Sequence, residues 1–440
     1  MRITQARNVR GKVRVPGDKS ISHRAAIIGS IAEGVTVISN FGTNADCAST
    51  LACLSKLGIR IEREGTILRI FGPGKDGLSA PSDVLDCGNS GTTARLLAGV
   101  LAGQTFASTI AGDASLSSRP MNRIIRPLQE MGAVIGSPTG TLPLAIEGKR
   151  PLAPIDHRLP VASAQVKSCV LLAGLFTEGT TSVSEPPSES PGPVSRDHTE
   201  QMLKAFGAEV TESDAAVGGG SEHTISIGGG STLEGGMIEV PGDISSAAFL
   251  IAAAAGLESS SLQIEDVGLN PTRTAVIEVF GMMGASIEVE EHRSVGGEPL
   301  GRISVSGGLE RVPGTIVLDE SVIANVIDEL PVLAVLATLL ESGIEVRDAS
   351  ELRRKESDRI AAVVANLKRM GADVEEYDDG FRIGRSDLKG AAVNSFGDHR
   401  IAMAFAVAGL FAEGETVIEG AECADVSFPG FFGVLENIVS

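Results

Sequence analysis

The stretch Val15-Pro16-Gly17-Asp18 stands just before a strongly apolar helical run, and it recurs in the same setting as Val240-Pro241-Gly242-Asp243. A Pro-Gly turn can arise by chance, but its repetition before the same kind of helix favours a structural role. We interpret the two copies as paired crossovers between two domains. The predicted domains are 17–240, and 1–16 together with 241–440.

Six apolar helical runs divide the chain, and each opens in a polar cluster and closes on a glycine. Their period of roughly 70 to 90 residues suits a compact unit of several elements rather than a solenoid repeat. The openings are Asp18-Lys19-Ser20, Asn89-Ser90-Gly91-Thr92, Ser163-Ala164-Gln165, Asp243-Ile244-Ser245-Ser246, Ile327-Asp328-Glu329 and Asp398-His399-Arg400. The closing glycines are Gly34, Gly103, Gly179, Gly256, Gly343 and Gly414.

Between these runs, five amphipathic stretches end on a glycine that is followed by strand-like alternation. The glycines lie where a helix C-terminus requires a left-handed residue, and they are Gly58, Gly132, Gly207, Gly284 and Gly371. The predicted unit is therefore strand, helix, strand, helix and hairpin. A sixth amphipathic stretch, 431–438, ends the chain, so we expect the N-terminal segment 3–15 to supply its missing strands. The fold class is α/β, with three repeats in each domain.

The charge balance and composition exclude several classes of function. The 440 residues have a formal net charge of −19, which repels nucleic acid and acidic membranes. Trp is absent and Tyr occurs once, so a single-strand nucleic-acid binder is not indicated. The cysteines and histidines have neither disulfide nor metal-ligand spacing. Short, charge-containing apolar runs and the lack of a signal core predict a cytoplasmic protein.

Cations nevertheless cluster at the helix openings of this acidic chain. Helix N-termini expose unpaired N–H groups and a partial positive charge, so these openings predict a site for small anions. Arg24 is followed by an apolar run that would bury it, and we expect an anion to pair with it. Lys355 and Arg359 are like charges spaced i, i+4, which also favours a bridging anion. Capping and solvated surface charge are the alternatives.

Two further segments combine charge with restricted solvation. In Ile327-Asp328-Glu329-Leu330-Pro331, capping explains one acid, and a second carboxylate near cations is a candidate general base. In Asp398-His399-Arg400, a structural histidine is an alternative to a functional one. The Pro-rich segment 185–193 is incompatible with a helix or an inner strand, so we expect a mobile surface loop that leads to Arg196.

Together these segments resemble the enolpyruvyl transferases, in particular the branch that acts on 3-phosphoshikimate. The resemblance extends from Lys12 to about Phe432, and its pieces occur in the family's order. The matching pieces are 16–24, 88–92 with Arg95, 118–121, 162–168, 196–199, 328–331, 353–359 and 397–400.

The resemblance implies two inside-out α/β barrel-like domains, each of three βαβαββ repeats, which close on substrates at the interdomain cleft. It also implies transfer of the enolpyruvyl group of phosphoenolpyruvate to the 5-hydroxyl of 3-phosphoshikimate, with release of phosphate. This reaction belongs to the shikimate pathway, which leads to chorismate and the aromatic amino acids. No metal or organic cofactor is expected, and we expect a monomer whose partners are the two anionic substrates.

The resemblance also assigns residues, position by position. Asp328 is implied as the base for the 5-hydroxyl, and Glu356 and Lys19 as the groups that protonate and deprotonate the methylene carbon. The residues implied to hold 3-phosphoshikimate are Lys19, Ser20, Arg24, Ser163, Ala164, Gln165, Arg196, Asp328 and Lys355. The residues implied to hold phosphoenolpyruvate are Lys19, Gly91, Arg119, Gln165, Arg359 and Arg400.

The chain departs from the enterobacterial and plant type of the family at three places. That type has a lysine shortly before its C-terminal Phe-Pro, where this chain has Val426-Ser427-Phe428-Pro429. It has serine at the positions of Ala164 and Arg196. These changes resemble the second class of the enzyme, in which Arg196 supplies charge to the substrate phosphate.

Two alternatives remain open at this stage. The sister transferase that acts on UDP-N-acetylglucosamine uses a Lys-Asn pair and a loop cysteine, whereas this chain has Lys19-Ser20 and no cysteine before Arg119. A non-catalytic anion-binding relative would keep the cleft without the chemistry. The presence of Lys19, Asp328 and Glu356 argues against it.

Overall fold

The computed structural model describes residues 1–440, except for the side chain of Ser321. The chain forms two compact units. The N-terminal unit comprises Gly17–Val240 and Ser294–Glu298, and the C-terminal unit comprises Met1–Pro16, Pro241–Arg293 and Pro299–Ser440. None of the helices of the described chain has the length and apolar character that crossing a membrane requires.

Long apolar helices alternate with amphipathic ones along the described chain, and short 3₁₀ helices occur at Ser350–Arg354 and Ala421–Val426. The α-helices are α1 (Lys19–Ile31), α2 (Ala45–Lys56), α3 (Gly91–Ala102), α4 (Ala114–Ser117), α5 (Asn122–Glu130), α6 (Ala164–Gly174), α7 (His198–Ala205), α8 (Ile244–Gly256), α9 (Ala275–Met282), α10 (Glu320–Val326), α11 (Leu330–Ala337), α12 (Arg359–Arg369), α13 (His399–Phe411) and α14 (Phe431–Ile438).

The strands are short and are distributed over six sheets. They are β1 (Arg2–Thr4), β2 (Arg10–Arg14), β3 (Glu33–Ser39), β4 (Arg60–Glu64), β5 (Ile67–Pro73), β6 (Leu85–Asp86), β7 (Ala107–Ala111), β8 (Val134–Gly136), β9 (Leu144–Glu147), β10 (Asp156–Arg158), β11 (Thr180–Ser184), β12 (Val210–Val217), β13 (Gly220–Gly228), β14 (Met237–Glu239), β15 (Ser261–Gly268), β16 (Ala285–Val295), β17 (Glu298–Leu309), β18 (Ile316–Leu318), β19 (Ile344–Val346), β20 (Val374–Tyr377), β21 (Gly380–Ile383), β22 (Ala392–Asn394) and β23 (Glu415–Glu419).

The sheets repeat one arrangement, in which a parallel strand pair is extended by an antiparallel hairpin. In the N-terminal unit the strand orders are β14-β3-β5-β4, β6-β7-β9-β8 and β10-β11-β13-β12. In the C-terminal unit they are β16-β17-β15-β2, β18-β19-β21-β20 and the three-stranded β1-β23-β22. The predicted repeat of strand, helix, strand, helix and hairpin is confirmed, and with it the α/β fold class.

Two strands are exchanged between the units, because each pairs in the unit that does not contain the helix that follows it. β2 directly precedes α1 in the chain but pairs in parallel with β15, in the C-terminal unit. β14 directly precedes α8 but pairs in parallel with β3, in the N-terminal unit. The Pro-Gly turns that follow β2 and β14 therefore lie where the chain passes from one unit to the other.

The N-terminus joins the last repeat through β1 alone. β1 pairs antiparallel with β23, with Ile3 opposite Thr416. Because β2 belongs to the sheet of β15, the last sheet has three strands rather than four. Further along, Val9 forms an antiparallel bridge with Val439, which brings both ends of the chain into the C-terminal unit.

The apolar helices lie in the cores of the two units. α1, α3 and α6 contribute to the core of the N-terminal unit, and α8, α11 and α13 to that of the C-terminal unit. A helix that is apolar on all sides is stable only where it is surrounded by protein. Gly99 allows α3 to approach α6 closely, since a Cβ there would lie 2.3 Å from the carbonyl oxygen of Cys169.

The two sets of glycines have different roles. Those after the amphipathic helices directly follow the C-cap residues, and Gly58 is an example at a φ of 87°, in the left-handed region as predicted. Those after the apolar helices were predicted to end them, which is correct for Gly103 but wrong for most of the others. α11 ends at Ala337, for example, and Gly343 forms the turn into β19.

Candidate active site

Lys19 and Ser20 open α1 directly after Asp18. The Asp18 carboxylate caps the helix, because its Oδ1 accepts a hydrogen bond of 2.9 Å from the backbone N–H of Ile21. The Lys19 ammonium forms an ion pair of 3.1 Å with Asp46, at the start of α2. Its side chain remains 24% exposed.

Arg24 lies one turn further along α1 and is buried. Its Nη1 donates to the carbonyl of Ser20 at 2.9 Å, its Nε to the hydroxyl of Thr199 at 2.6 Å, and its Nη2 to the hydroxyl of Ser168 at 2.9 Å. All three partners are neutral oxygens. Burial lowers the pKa of Arg24 to about 10, which leaves it charged at neutral pH. The anion predicted for this arginine is therefore not a carboxylate bonded to it directly.

Two arginines surround Gly91 at the start of α3. The helix begins at Gly91 and is capped by the side chain of Ser90. A Cβ on Gly91 would lie 2.6 Å from Nη1 of Arg95 and 3.6 Å from Nη1 of Arg119. Arg119 donates from Nη2 to Asn89 Oδ1 at 2.7 Å. The glycine thus makes room for guanidinium groups at a helix N-terminus, which is an arrangement suited to an anion.

The opening of α6 is hydrogen-bonded to that of α3. α6 begins at Ala164, and the side chain of Ser163 before it makes no capping hydrogen bond. Gln165 accepts from Arg95 Nη1 at 2.8 Å and donates to the hydroxyl of Thr92 at 3.0 Å. Through these contacts and those of Arg24 with Ser168, the openings of α1, α3 and α6 come together in the N-terminal unit.

Arg196 lies just before α7 and close to Arg24, whose charge it disfavours in addition to the larger effect of burial. Two like charges held near each other in one unit are compatible with a doubly charged ligand such as a phosphate. A contact of Arg196 with a substrate phosphate is the role implied at this position.

The prediction of a surface loop at 185–193 is wrong at its first residue. Glu185 is 1% exposed, and its carboxylate lies 3.3 Å from the ammonium of Lys167. The same carboxylate accepts hydrogen bonds from the backbone N–H groups of Val194 and Ser195. A single acid in a run rich in proline and serine has no periodic signature, so the sequence pattern did not indicate its burial.

In the C-terminal unit, three cations surround the carboxylate of Asp328. Arg359 Nη1 lies 3.3 Å and Lys355 Nζ lies 3.7 Å from its Oδ1, and Arg400 Nη2 lies 3.7 Å from its Oδ2. Arg400 also donates from Nη1 to the backbone carbonyl of Asp328 at 2.9 Å. These contacts orient the partly buried carboxylate, as a general base requires.

Arg359 is buried and is shared among carboxylates. Its Nε donates to Asp398 Oδ2 at 2.8 Å, and its Nη2 donates to Glu356 Oε2 at 2.7 Å. Burial acts against the charge, but the ion pairs with Asp398, Glu356 and Asp328 outweigh it and raise the pKa of Arg359. For Asp398, burial is likewise outweighed by Arg359 and His399, so its pKa lies below the usual value.

The anion expected between Lys355 and Arg359 is present, but the geometry differs from that predicted. Lys355 follows the 3₁₀ helix Ser350–Arg354, and α12 begins only at Arg359, so the two cations do not share one helix face. Both face the Asp328 carboxylate instead.

A buried chain of contacts extends from Arg400 to the fourth helix opening, which sequence reasoning did not place in a site. Arg400 Nη1 lies 3.4 Å from Glu329 Oε1, which accepts a hydrogen bond of 2.5 Å from the hydroxyl of Ser245. That hydroxyl accepts a hydrogen bond of 2.7 Å from Arg273. The second acid before α11 was the available signal, because capping left Glu329 unexplained.

The implied residues thus form two sets, each within one unit. The set in the N-terminal unit is Lys19, Ser20, Arg24, Gly91, Arg119, Ser163, Ala164, Gln165 and Arg196. The set in the C-terminal unit is Asp328, Lys355, Glu356, Arg359 and Arg400. The first is dominated by cations and helix N-termini, and the second by carboxylates held among cations.

Comparison with known proteins gives one consistent result. A family model described as EPSP synthase (3-phosphoshikimate 1-carboxyvinyltransferase) matches residues 3–435. The chain is 51% identical over 441 residues to a 3-phosphoshikimate 1-carboxyvinyltransferase of Desulforamulus reducens, with 99% of each chain covered. It is 52% identical over 443 residues to one from Pelotomaculum thermopropionicum, which covers 100% of this chain and 99% of the relative. An EPSP synthase structure from Acinetobacter baumannii superposes with a TM-score of 0.86 at 43% identity, covering 99% of this chain and 97% of the other.

Proposed function

The chain belongs to the EPSP synthase family, and from this premise we propose that it transfers the enolpyruvyl group of phosphoenolpyruvate to the 5-hydroxyl of 3-phosphoshikimate. The products are 5-enolpyruvylshikimate 3-phosphate and inorganic phosphate. The observation that carries the proposal is the Asp328 carboxylate, which is held by Lys355, Arg359 and Arg400 and to which the resemblance assigns the role of base.

Both substrates are anions, and the proposed contacts follow from that. The residues proposed for 3-phosphoshikimate are Lys19, Ser20, Arg24, Ser163, Ala164, Gln165, Arg196, Asp328 and Lys355. Those proposed for phosphoenolpyruvate are Lys19, Gly91, Arg119, Gln165, Arg359 and Arg400. Arg24 and Arg119 support this division, because their hydrogen-bond partners within the chain are neutral and leave their charge available to a ligand.

The proposed reaction proceeds by addition and elimination. Asp328 takes the proton of the 5-hydroxyl as that oxygen attacks C2 of phosphoenolpyruvate. Glu356 or Lys19 gives a proton to C3, which turns the methylene group into the methyl group of a tetrahedral adduct. The bond from C2 to the phosphate oxygen then breaks while a proton leaves that methyl group, so the double bond is restored and phosphate is released.

The fixed cations have a defined part in this sequence. Charge develops on the departing phosphate, and guanidinium groups that are already in place stabilise it without reorganisation. Arg359 and Arg400 contact Asp328 as well. The cations proposed for phosphoenolpyruvate therefore also orient the base, so substrate binding and base orientation are coupled.

Phosphate release tests the proposal. Mixing the enzyme with phosphoenolpyruvate and 3-phosphoshikimate should release phosphate, and Asp328→Asn should lower kcat by about 10³-fold, the range of general base catalysis. The matched control is Asp387→Asn, since the Asp387 side chain is 99% exposed and should leave kcat unchanged. Release only with UDP-N-acetylglucosamine as acceptor would favour the sister transferase. Binding of both substrates without any release would favour a non-catalytic relative.

We further propose that the enzyme acts in the cytoplasm as a monomer. Light scattering at micromolar concentration should give the mass of one chain, 45.3 kDa. A mass of twice that value would contradict the monomer.

A further inference from the structure

We propose that Glu185 and Lys167 are positioning residues that fix the backbone before Arg196 and so place its guanidinium for the phosphate of 3-phosphoshikimate. The inference rests on the proposed function, which assigns Arg196 to that phosphate. Neither Glu185 nor Lys167 is among the residues implied to touch a substrate.

The two side chains clamp the backbone of one short segment from both sides. Glu185 Oε2 accepts the N–H of Val194 at 2.9 Å, and Glu185 Oε1 accepts the N–H of Ser195 at 3.1 Å and also the Ser195 hydroxyl. Lys167 Nζ donates to the carbonyl of Ser195 at 3.2 Å. Arg196 is the next residue, so the residue that directly precedes it is fixed at both its backbone N–H and its backbone carbonyl.

Burial makes the clamp rigid. The side chains of Glu185 and Lys167 are 0% exposed, and their charged groups lie 3.3 Å apart. Burial acts against the charge of Lys167, but Glu200 and Glu185 outweigh it and raise the pKa of the ammonium. A buried ion pair contributes little net stability, and its geometry is its more specific contribution.

One carboxylate would be enough to neutralise Lys167. Glu200, on α7, lies 2.7 Å from the ammonium and contacts neither Val194 nor Ser195 among the hydrogen bonds described. Glu185 is the second carboxylate, and its lone pairs are directed to the backbone of the segment. The pairing of Lys167 with Glu200 accounts for charge balance, whereas Glu185 accounts for the position of the segment.

The Pro-rich loop explains why such a clamp is required. Glu185 follows β11, and its own N–H donates to the carbonyl of His223 on β13 at 2.8 Å. The segment that follows contains four prolines, which donate no backbone hydrogen bonds, and it contacts the sheet at Ser188, which forms a bridge with Ser221, and at Gly192, whose N–H donates to Asp214. It returns to the Glu185 carboxylate at Val194. The carboxylate thus fixes the end of the loop that leads to Arg196.

The proximity of Arg24 supplies the second reason. Burial acts against the charge of Arg24, Glu200 and Asp18 favour that charge, and Arg196 opposes it. Holding a cation in that position requires a backbone that does not move away. Without the contacts from Glu185 and Lys167, Arg196 could move away from the substrate phosphate. Phosphate binding would then weaken, whereas the reacting groups would not be affected.

The test is a double-mutant cycle of Glu185 and Arg196 in the full-length enzyme. For each variant, KM for 3-phosphoshikimate and kcat are measured separately. Arg196→Met should raise this KM by about 10- to 100-fold, the value of a hydrogen bond to a charged group. Glu185→Gln should raise it by about 10-fold with kcat within about two-fold, and the double variant should match Arg196→Met alone. Glu200→Gln is the control, since it removes charge from the same lysine; it should lower the thermal midpoint comparably without raising this KM, because it also removes a negative charge near Arg24. Ser195→Ala, which keeps both buried charges, should raise KM by about two- to three-fold.

Each outcome decides a separate point. If Arg196→Met raises KM but Glu185→Gln and Ser195→Ala do not, or if the effects multiply in the double variant, the positioning role is overturned and the phosphate assignment stands. If Glu200→Gln raises KM as much as Glu185→Gln, the effect belongs to the buried ion pair and not to the clamp. If Arg196→Met leaves KM unchanged, the phosphate assignment and the inference both fall.

Discussion

Arg24 and Arg359 are both buried near the start of a helix, one in each unit, but their surroundings are opposite. Arg24 donates to a backbone carbonyl and two hydroxyl groups. Arg359 contacts three carboxylates, those of Asp328, Glu356 and Asp398. The pKa of Arg24 is lowered by burial, whereas that of Arg359 is raised because its ion pairs outweigh burial.

The comparison of Arg24 with Arg359 distinguishes two roles of a buried cation. A guanidinium whose hydrogen bonds all go to neutral oxygens has no carboxylate bonded to it, and an anionic substrate can supply one negative partner. A guanidinium among carboxylates has its charge balanced within the chain and holds those carboxylates in place, and it lowers the pKa of Asp398 against the opposing effect of burial. Arg24 thus offers its charge to a ligand, whereas Arg359 also organises the acids and the base around it.

The largest expected effect is on stability. Arg359→Met leaves three carboxylates around an uncharged side chain, and we expect a loss of about 3–5 kcal/mol in the free energy of unfolding. Arg24→Met leaves only hydroxyl and carbonyl partners, and the expected loss is about 1–2 kcal/mol. Urea unfolding followed by circular dichroism measures both. Equal losses in the two variants would remove the distinction between the two arginines.

Acid stability provides a second comparison. Because the folded pKa of Asp398 is below its usual value, its contribution is present above the unfolded pKa, near 4, and is lost as the pH falls toward the folded value. Between pH 5 and pH 3, the wild-type enzyme should therefore lose on the order of 1 kcal/mol more than Asp398→Asn. Thermal midpoints across this range measure the loss. An identical pH dependence in the variant would show that Asp398 is not the titrating group.

The smallest expected effect comes from a steric change at Gly91, which alters no charge. In Gly91→Ala the new methyl group would lie 2.6 Å from Arg95 Nη1, so the end of that side chain must shift away. We expect KM for phosphoenolpyruvate to rise by about three- to ten-fold, with little change in stability. Gly99→Ala is the matched control on the same helix, because its methyl group would meet backbone at 2.3 Å and should lower stability instead. The reverse pattern would assign Gly91 to packing.

Sequence periodicity was sufficient to predict the repeat and the fold class. The left-handed glycines after the amphipathic helices follow a local rule, and their φ values agree with it. Four of the six glycines after the apolar helices, Gly34, Gly179, Gly343 and Gly414, were misassigned, because a glycine that ends a helix and one that opens the next strand give the same signal. The exchange of β2 and β14 between sheets depends on contacts far apart in sequence, and only the repeated Pro-Gly turn pointed to that location.

The candidate site was predictable where residues form a motif, and less so where partners come from elsewhere in the chain. The openings of α1 and α3 were readable as local clusters of cations and small residues. The anion between Lys355 and Arg359 was expected, but its identity as Asp328 depends on the packing of α11 against α12. Glu185 was missed because nothing in its immediate sequence distinguishes a buried acid from an exposed one.

The affinity of 3-phosphoshikimate for Arg24→Met, measured by calorimetric titration without phosphoenolpyruvate, tests the central contrast most directly. Because the charge of Arg24 is balanced by no bonded carboxylate, the account predicts a Kd raised by about 10- to 100-fold, with the thermal midpoint only slightly lowered. An unchanged Kd, together with a large fall in the midpoint, would contradict it, since Arg24 would then act in the fold and not toward the substrate.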